Sequence, residues 1–392
     1  MTHGPQDFKG EVCTWDNLLA AWRAVRRNKG QSGSDGVSLA DFDRDHLTRL
    51  REMQQRLRAR TYYPQPLRPV LIPKANHRQR LLRIPTVADR IVQQAILQVI
   101  EPRFERKFCN CSFGFRPGRS AHQAVDAIQT LLAQGLVWVV EADLEDFFDT
   151  LDWGILLSEL GQEIPDQSLL GLIRCFLQAG LLQGQQLTPV TRGTPQGAVF
   201  SPLLGNAYLH PFDTAMSERG LRLIRYGDDL VTFHRTRTEA AEGLLCMKAF
   251  LRDRLKLRLN GAKTGILHEA AQGFEFLSFY FARGRMVPAA KAVERFKAEV
   301  QRIINERHRR RGEPLAARLD PLIRGWGEYF KIAQVEQLYP ELDTWVGQRL
   351  GALPAPGFRV ASLTTLLAKR GRGTQGGALA RVRTHATSSR EV

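Results

Sequence analysis

The sequence predicts an α+β protein in which a mixed region with a central antiparallel sheet precedes an all-α region. Strand and helix patterns alternate from residue 136 to residue 235, which is typical of a sheet covered by helices. From about residue 287 the apolar residues recur only at helical spacing, with Phe296, Val300 and Ile303 on one stripe. The chain has 392 residues, of which 43% are apolar, so it can build two or three packed units.

Residues 1–66 are predicted to form a helical N-terminal extension. The first amphipathic helix places four residues on one apolar stripe: Leu18, Ala21, Trp22 and Val25. Glycines then break the helix, and the pair Ser38 and Asp41 resembles a capping box that opens the next helix. The arginines on the outer faces fit either a solvated surface or an RNA-binding surface.

Residues 67–85 are predicted to form a β-hairpin, because two β-rich runs flank a basic loop that contains Lys74. Arg80 lies at the start of the second run. A long helix follows, with Ile91 and Ala95 on its inner face. At the other end of the chain, residues 351–392 are rich in basic residues, glycine, serine and threonine, which predicts a basic flexible tail.

The charge of the chain favours a polyanionic partner. Lys and Arg number 56 against 40 Asp and Glu, a formal net charge of +16, which suits nucleic acid ahead of an anionic membrane surface. No stretch approaches the roughly 18 consecutive apolar residues of a membrane span, and the first residues lack the apolar core of a secretory signal. We therefore expect a soluble cytoplasmic protein with no membrane partner. The five cysteines include no CxxC pair, which argues against a zinc knuckle.

The sequence YGDD at residues 226–229 sets two adjacent aspartates between two apolar runs. Both runs suit half-buried strands, so Asp228 and Asp229 are predicted at or near the turn of a hairpin. Taken alone, the pattern fits a solvated turn better than a functional site.

A second acidic cluster changes that balance. The apolar strand predicted at residues 137–140 is followed by four acids: Asp143, Glu145, Asp146 and Asp149. If Asp143 lies near Asp228, carboxylates about 5 Å apart repel each other by roughly 3 kcal/mol at an effective dielectric of 20. Such a cluster needs cations, and Mg²⁺ is the natural partner of oxygen ligands. Two Mg²⁺ ions about 3.5–4 Å apart serve in-line phosphoryl displacement, which a basic protein performs as a polymerase or a nuclease.

The third segment, TRGTPQGAVFSPLLGN, is a glycine-rich loop that leads into a helix. Gly193 and Gly197 flank Gln196 and let the backbone approach a ligand closely, which suits a templating base or an incoming nucleotide. Ser201 is predicted to cap the helix, with Pro202 in its first turn. A plain loop before a helix is the alternative for this segment alone.

Together, the three segments resemble the central motifs of reverse transcriptases, specifically those of the group II intron lineage. Other blocks match in the family's order: IPKANHRQRLLRIP, SFGFRPGRSAHQAV, NGAKT and FEFLSF. The resemblance spans about residues 15–350 and implies a right-hand polymerase with fingers and palm at 67–285 and a helical thumb or maturase-like domain at 286–350. It implies an RNA-directed DNA polymerase that extends a DNA or RNA primer with dNTPs on an RNA template.

For the metal site, the resemblance implies Asp143, Asp228, Asp229 and the backbone carbonyl of Leu144. The three aspartates would be catalytic and would hold two Mg²⁺ ions, for which Mn²⁺ could substitute.

For the nucleotide, the resemblance implies six contacts. Lys74 and Arg80 would hold the triphosphate, and Phe148 would block a ribose 2′-hydroxyl. The other three would lie against the nucleotide: Gln196, Gly197 and Tyr226.

For the nucleic acid, the resemblance implies five basic residues: Arg116, Arg119, Lys263, Arg324 and Lys331. Arg116 and Arg119 would support the template path, although bracing the core suits them nearly as well. Lys263 would lie near the primer, with a surface salt bridge as the alternative. The segment PLIRGWGEYFKIA resembles the maturase signature, and its aromatic residues are predicted to be core.

Departures from the family pattern leave the biological role open. Gly227 stands where group II proteins commonly carry alanine, and glycine at this position is also usual in viral RNA-dependent RNA polymerases. The segment before YGDD is short, and no Cys/His cluster follows, so no metal-dependent DNA endonuclease is expected. These features suit an enzyme of CRISPR spacer acquisition, with integrase proteins as partners, or of antiviral defence. They equally suit a maturase that acts on intron RNA as a splicing factor. An RNA-dependent RNA polymerase ranks last, because the loop reads GTPQG and Phe148 would exclude ribonucleotides.

Overall fold

The computed structural model of the chain describes residues 7–73, 79–306, 314–351 and 360–374. The chain divides into two compact units, Met1–Leu267 and His268–Val392. This division falls earlier than the boundary at residue 285 that the sequence predicts.

The first unit opens with four helices and a hairpin: α1 (Phe8–Val12), α2 (Trp15–Arg27), α3 (Leu39–Arg44), α4 (His46–Arg58), β1 (Arg68–Pro73) and β2 (Gln79–Ile84). The predicted apolar stripe of α2 is buried, and Ser38 and Asp41 form the predicted capping box of α3. β1 and β2 pair antiparallel from Arg68 opposite Ile84, which confirms the hairpin. Lys74 lies outside the described residues.

The remaining elements of the first unit alternate between helix and strand. They are α5 (Val87–Lys107), α6 (Ala121–Ala133), β3 (Trp138–Asp143), α7 (Phe147–Thr150), α8 (Trp153–Glu163), α9 (Gln167–Leu177), β4 (Leu181–Gln183), β5 (Gln186–Thr188), α10 (Ser201–Glu218), β6 (Arg222–Tyr226), β7 (Asp229–His234), α11 (Arg237–Leu255) and β8 (Gly265–His268). The backbone N–H of Leu67 donates to the carbonyl of Gly180 at 2.9 Å, which fastens the base of the first hairpin to the start of the β4–β5 hairpin.

A four-stranded sheet with the order β6-β7-β3-β8 forms the centre of the first unit. β7 pairs antiparallel with β3 on one side and with β6 on the other. Residues 230–234 of β7 are all buried, because helices pack on the sheet. The predicted antiparallel sheet of the mixed region is therefore confirmed.

Helix α10 begins differently from the prediction. Its N-cap residue is Phe200, and Ser201 is already inside the helix, so the predicted Ser201 cap is wrong. The Ser201 hydroxyl instead donates to the carbonyl of Pro195 at 2.9 Å and lies 2.7 Å from the Thr194 hydroxyl. The serine thus holds the preceding loop rather than the helix end.

The described residues of the second unit form a small sheet and four helices: β9 (Phe274–Phe276), β10 (Phe279–Ala282), β11 (Arg285–Pro288), α12 (Ala290–Asn305), α13 (Leu315–Phe330), α14 (Leu338–Leu350) and α15 (Leu363–Thr374). The Trp326 ring lies 4.6 Å from Phe330 and 4.9 Å from Phe296, centroid to centroid, which confirms an aromatic core. The helix α15 lies within the predicted flexible tail, so that part of the tail prediction is wrong. None of the helices described is long and apolar enough to cross a membrane.

Candidate active site

Three carboxylates meet at one end of the central sheet. Asp143 ends β3 and lies directly opposite Asp229, the first residue of β7. Asp228 precedes it in the two-residue loop between β6 and β7. Residues directly opposite in antiparallel strands point to the same face, with Cβ atoms about 4.5–5.5 Å apart. The sheet therefore brings together the two acidic segments that the sequence sets far apart.

The three carboxylates lack enough positive charge from the protein itself. The pKa of Asp229 is raised to about 6, chiefly by burial and then by the carboxylates of Asp228 and Asp143. Burial also raises the pKa of Asp228, an effect that Asp143 strengthens and that Arg80 and Lys263 oppose. Asp229 remains accessible to solvent, although protein surrounds it on most sides. A cation delivered to this place would relieve the repulsion.

A cavity of about 730 Å³ opens beside these carboxylates. Its walls combine acidic, basic, aromatic and glycine-rich parts of the first unit, among them Asp143, Asp228, Asp229, Arg80, Phe148, Gln196, Gly197 and Lys263. The sequence assigns each of these residues to the metal site, the nucleotide or the primer. Tyr226 is not among the lining residues, and its ring lies 6.3 Å from that of Phe115.

The loop with Gln196 is fixed by hydrogen bonds from two directions. The Arg83 N–H of β2 donates to the Gln196 carbonyl at 2.8 Å, and the Gln196 amide donates to Asp149 Oδ2 at 3.0 Å. Gly193 has a φ of +81°, and a Cβ there would lie 2.7 Å from the Asp149 carbonyl oxygen. The loop is thus held against the hairpin and α7, which presents Gln196 and Gly197 to the cavity.

The residues present fit a divalent metal site that is completed by a ligand. Lys263 Nζ lies 3.0 Å from Asp143 Oδ2, so an ammonium group stands where a cation is needed. Leu144, which follows Asp143 in the chain, also lines the cavity. Within the described residues, no three His, Cys, Asp or Glu side chains are placed to hold an ion by themselves. Mg²⁺ commonly takes only one or two carboxylates and completes its shell with water and substrate phosphates, so this donor set suits it.

Arg116 makes internal contacts that favour the alternative role, bracing of the core. Its side chain is only 3% exposed and makes a two-pronged ion pair with Glu105, with 2.6 Å between Nη2 and Oε1. Its Nη1 donates to the carbonyls of Cys109 and Ser112 at 2.7 and 2.8 Å. All its donors are therefore used inside the protein, which favours bracing of the core over direct contact with nucleic acid.

The other basic residues remain at the surface. Arg119 is half-buried and donates to Asn110 Oδ1 at 2.6 Å. Lys263 is 62% exposed at the cavity edge. In the second unit, Arg324 is 55% exposed and lies 3.9 Å from Asp320, while Lys331 pairs with Glu328.

Sequence reasoning missed several residues of the site. Asn260 donates from its backbone N–H to the Asp143 carbonyl at 2.8 Å and lines the cavity. Arg83 pairs with Asp149 at 2.9 Å behind the glycine-rich loop. Phe115 lines the cavity beside Phe148. The positions of Arg83 and Phe115 in quoted motifs were available as a signal, but their contacts depend on tertiary packing.

Two protein-family matches cover much of the chain. Residues 72–281, more than half of the chain, match the family described as reverse transcriptase (RNA-dependent DNA polymerase). The chain belongs to the reverse transcriptase family. Residues 293–354 match the group II intron maturase-specific domain, which places it in the group II intron-type branch.

Two curated relatives illustrate the extent of the similarity. The group II intron-encoded protein LtrA of Lactococcus lactis subsp. cremoris is 35% identical over 218 residues, which are 55% of this chain and 36% of LtrA. Protein YkfC of Escherichia coli (strain K12) is 32% identical over 310 residues, which are 68% of this chain and 81% of YkfC. The chain thus matches little more than a third of the length of LtrA and most of YkfC.

Among solved structures, a chain of a partial Cas6-RT-Cas1–Cas2 complex matches 63% of this chain and 43% of its own length. The identity is 24% and the TM-score 0.41. A score this low carries no argument about fold or function.

Proposed function

We propose that the protein is an RNA-directed DNA polymerase that extends a DNA or RNA primer with dNTPs on an RNA template. The observation that supports this most strongly is the register of the central sheet, which sets Asp143 opposite Asp229 with Asp228 in the adjoining loop. The family match over residues 72–281 supports polymerase chemistry for this carboxylate cluster.

Two Mg²⁺ ions, or Mn²⁺ in their place, would be held by Asp143, Asp228, Asp229 and the backbone carbonyl of Leu144. When bound, such ions activate the attacking hydroxyl and stabilise the charge on the phosphates in an in-line displacement. The protein's own part is to hold the carboxylates on paired strands, where the hydrogen-bonded backbone fixes their positions.

The cavity wall supplies the contacts that would orient a nucleotide. Arg80 is an exposed cation at the cavity and would bind the triphosphate, for which a guanidinium fork is well suited. Phe148 would exclude a 2′-hydroxyl, and the fixed loop at Gln196 and Gly197 would lie against the nucleotide. Lys74, which the resemblance also assigns to the triphosphate, lies outside the described residues.

Primer extension tests this proposal. Asp143→Ala and Asp228→Ala should each abolish incorporation of dNTPs on an RNA template, with Mg²⁺ supplied. Asp253→Ala is the matched control, because Asp253 is an exposed acid of the same unit that pairs only with its neighbour Arg252. Undiminished extension by Asp143→Ala or Asp228→Ala would refute the proposal. Extension with ribonucleotides in preference to dNTPs would favour an RNA polymerase.

A second candidate function is that of a maturase whose main task is to bind a structured intron RNA. The match of residues 293–354 to the maturase-specific domain favours it. It predicts that tight binding of one intron RNA survives Asp228→Ala, whereas loss of binding in that variant would count against it. A role in CRISPR spacer acquisition or antiviral defence, with integrase partners, stays a prediction from the sequence.

A further inference from the structure

Phe115 is an exposed aromatic residue in the wall of the cavity. Its side chain is 51% exposed and its φ is +59°, a left-handed conformation that is unusual for phenylalanine. The two large exposed aromatic residues in the described part of the chain are Phe115 and Tyr63, and only the first lines the cavity. A left-handed phenylalanine costs free energy, and its place in the cavity wall gives a reason to look for a role at the site.

The segment that carries Phe115 is fastened to the YGDD turn by a buried network. The Phe113 N–H donates to the Arg225 carbonyl at 2.9 Å, and the Asn206 amide donates to the Gly114 carbonyl at 2.9 Å. Arg225 Nη1 in turn donates to Asn206 Oδ1 at 2.8 Å and to the Gly227 carbonyl at 3.0 Å. A Cβ on Gly114 would lie 2.5 Å from the Gly227 nitrogen, so the two backbones are in direct contact.

Gly227 accommodates the Phe115 ring. Its φ is +68°, and a Cβ added there would lie 2.9 Å from Phe115 Cε2. That approach is too close for a real Cβ, so any other residue would push the ring away from the turn. Gly227, which departs from the alanine common in this family, is therefore matched to the position of Phe115.

The Phe115 ring also meets Phe148. Their centroids are 6.5 Å apart with planes at 73°, an edge-to-face contact. The two rings form one aromatic wall of the cavity that Asp228 also lines. If the proposed function holds, the sugar and phosphates of a nucleotide would lie at this end of the cavity. An apolar wall tolerates a deoxyribose, but it leaves a ribose hydroxyl without a hydrogen-bond partner.

We infer that Phe115 is a second sugar-selecting residue, whose ring contacts the deoxyribose of the incoming nucleotide together with Phe148. This inference rests on the proposed polymerase function. Gly227 sets the place of the ring, and so contributes to selection through Phe115.

Single-nucleotide primer extension with matched dNTP and rNTP tests the inference through the ratio of their kcat/KM values. Phe115→Ala should raise the relative use of rNTP by roughly 10-fold, the effect of losing one close apolar contact. Tyr63→Ala is the matched control and should leave the ratio unchanged, because Tyr63 is an exposed aromatic residue outside the cavity. A Phe115→Ala ratio within twofold of wild type would overturn the inference.

Gly227→Ala tests the same inference through the place of the Phe115 ring. If Phe115 had only a structural role, this substitution would not change the ratio of kcat/KM values through Phe115. It should shift the ratio in the same direction as Phe115→Ala, and it should add nothing to the ratio once Phe115 is already alanine. Independent, multiplying effects of the two changes would overturn the inference. Should Phe115→Ala fail to fold by circular dichroism, Phe115→Leu decides: a raised ratio supports the inference and a wild-type ratio overturns it. Failure of the wild-type protein to extend any primer would instead refute the proposed function.

Discussion

Two groups of charged side chains meet at the β6–β7 hairpin and are balanced in opposite ways. Arg225 and Asp213 are both fully buried, and the guanidinium makes a two-pronged pair with the carboxylate, with 2.6 Å between Nη2 and Oδ2. At the turn, Asp228 and Asp229 have raised pKa values and face Asp143 across the sheet. A buried charge with a structural role thus carries its partner within the chain, whereas the carboxylates of the candidate site leave room for a cation from outside.

The largest expected effect comes from changing one acid of each group. Asp213→Asn leaves Arg225 buried without a counter-charge and should lower the free energy of unfolding by about 3–5 kcal/mol. Asp228→Asn should leave that free energy unchanged or raise it, since it removes a repulsive charge, but it should lower primer extension roughly 10³-fold or more. Chemical denaturation and extension assays on both variants measure this. If Asp228→Asn destabilised the fold as much as Asp213→Asn, the contrast between the two groups would not hold.

Asp89 tests a third way of burying a carboxylate, in which neutral donors replace a cation. It accepts hydrogen bonds from the Tyr62 hydroxyl at 2.7 Å, the Gln65 N–H at 3.0 Å and the Thr86 hydroxyl at 2.8 Å. Burial nevertheless raises its pKa to about 6. Since an unfolded aspartate titrates near pH 4, the folded state binds more protons between about pH 4 and pH 6.

The stabilising contribution of the Asp89 proton is therefore full below about pH 4 and is lost as the pH rises through about 6. Asp89→Asn should remove roughly 2–3 kcal/mol of this pH dependence of the free energy of unfolding. Urea denaturation of wild type and variant between pH 4 and pH 7 measures the difference. Parallel curves for the two proteins would show that the Asp89 carboxyl does not titrate in this range.

Lys263 sharpens the comparison at the edge of the site, because its ammonium group, 3.0 Å from Asp143 Oδ2, would compete there with a metal ion. Lys263→Ala should lower the Mg²⁺ concentration for half-maximal extension by about two- to fivefold, as expected for loss of an exposed ion pair. Lys256→Ala is the matched control, since Lys256 is 64% exposed and forms a similar pair with Asp152 away from the carboxylates. A Mg²⁺ requirement that rose in Lys263→Ala would mean that the lysine helps to build the metal site.

The smallest effect concerns exposed charges of the second unit. Arg302 is bonded to both Glu299 and Glu306, whereas Arg324 has a distant partner in Asp320. A plot of log affinity for RNA against log salt has a negative slope. If Arg324 contacts a phosphate, Arg324→Ala should make that slope less negative by about 0.7–0.9. Arg302→Ala should change it less. Equal changes of the slope in both variants would show that local ion pairing does not decide whether an arginine is free to contact a phosphate.

The sequence predicts elements with strong periodicity or clear punctuation. The stripe of α2, the capping box at Ser38 and the hairpin at 67–85 are local patterns, and the structure confirms all three. Two acidic segments that each follow an apolar strand raised the question of whether Asp143 lies near Asp228, and the resemblance to reverse transcriptases assigned both to one site.

What the sequence could not predict depends on distant contacts. The cap at Ser201 was wrong, and the two roles given for Arg116 stayed open, because the partners Pro195 and Glu105 are set by the fold and not by spacing. Gly227 had no physical account in the sequence, since the ring that requires it belongs to a segment more than one hundred positions earlier.

The pairing of β3 with β7 has a consequence for the order in which the protein forms. The two strands are distant in sequence, so closing them has a high entropic cost and is expected to be slow. On the ribosome, Asp229 is added about 4–17 s after Asp143 at a usual translation rate. Throughout that interval the nascent chain has β3 but lacks its partner strand, so the carboxylates cannot yet assemble. A ribosome-bound chain that stops before β7 should therefore be inert toward nucleotides, and activity should appear only after the hairpin has emerged.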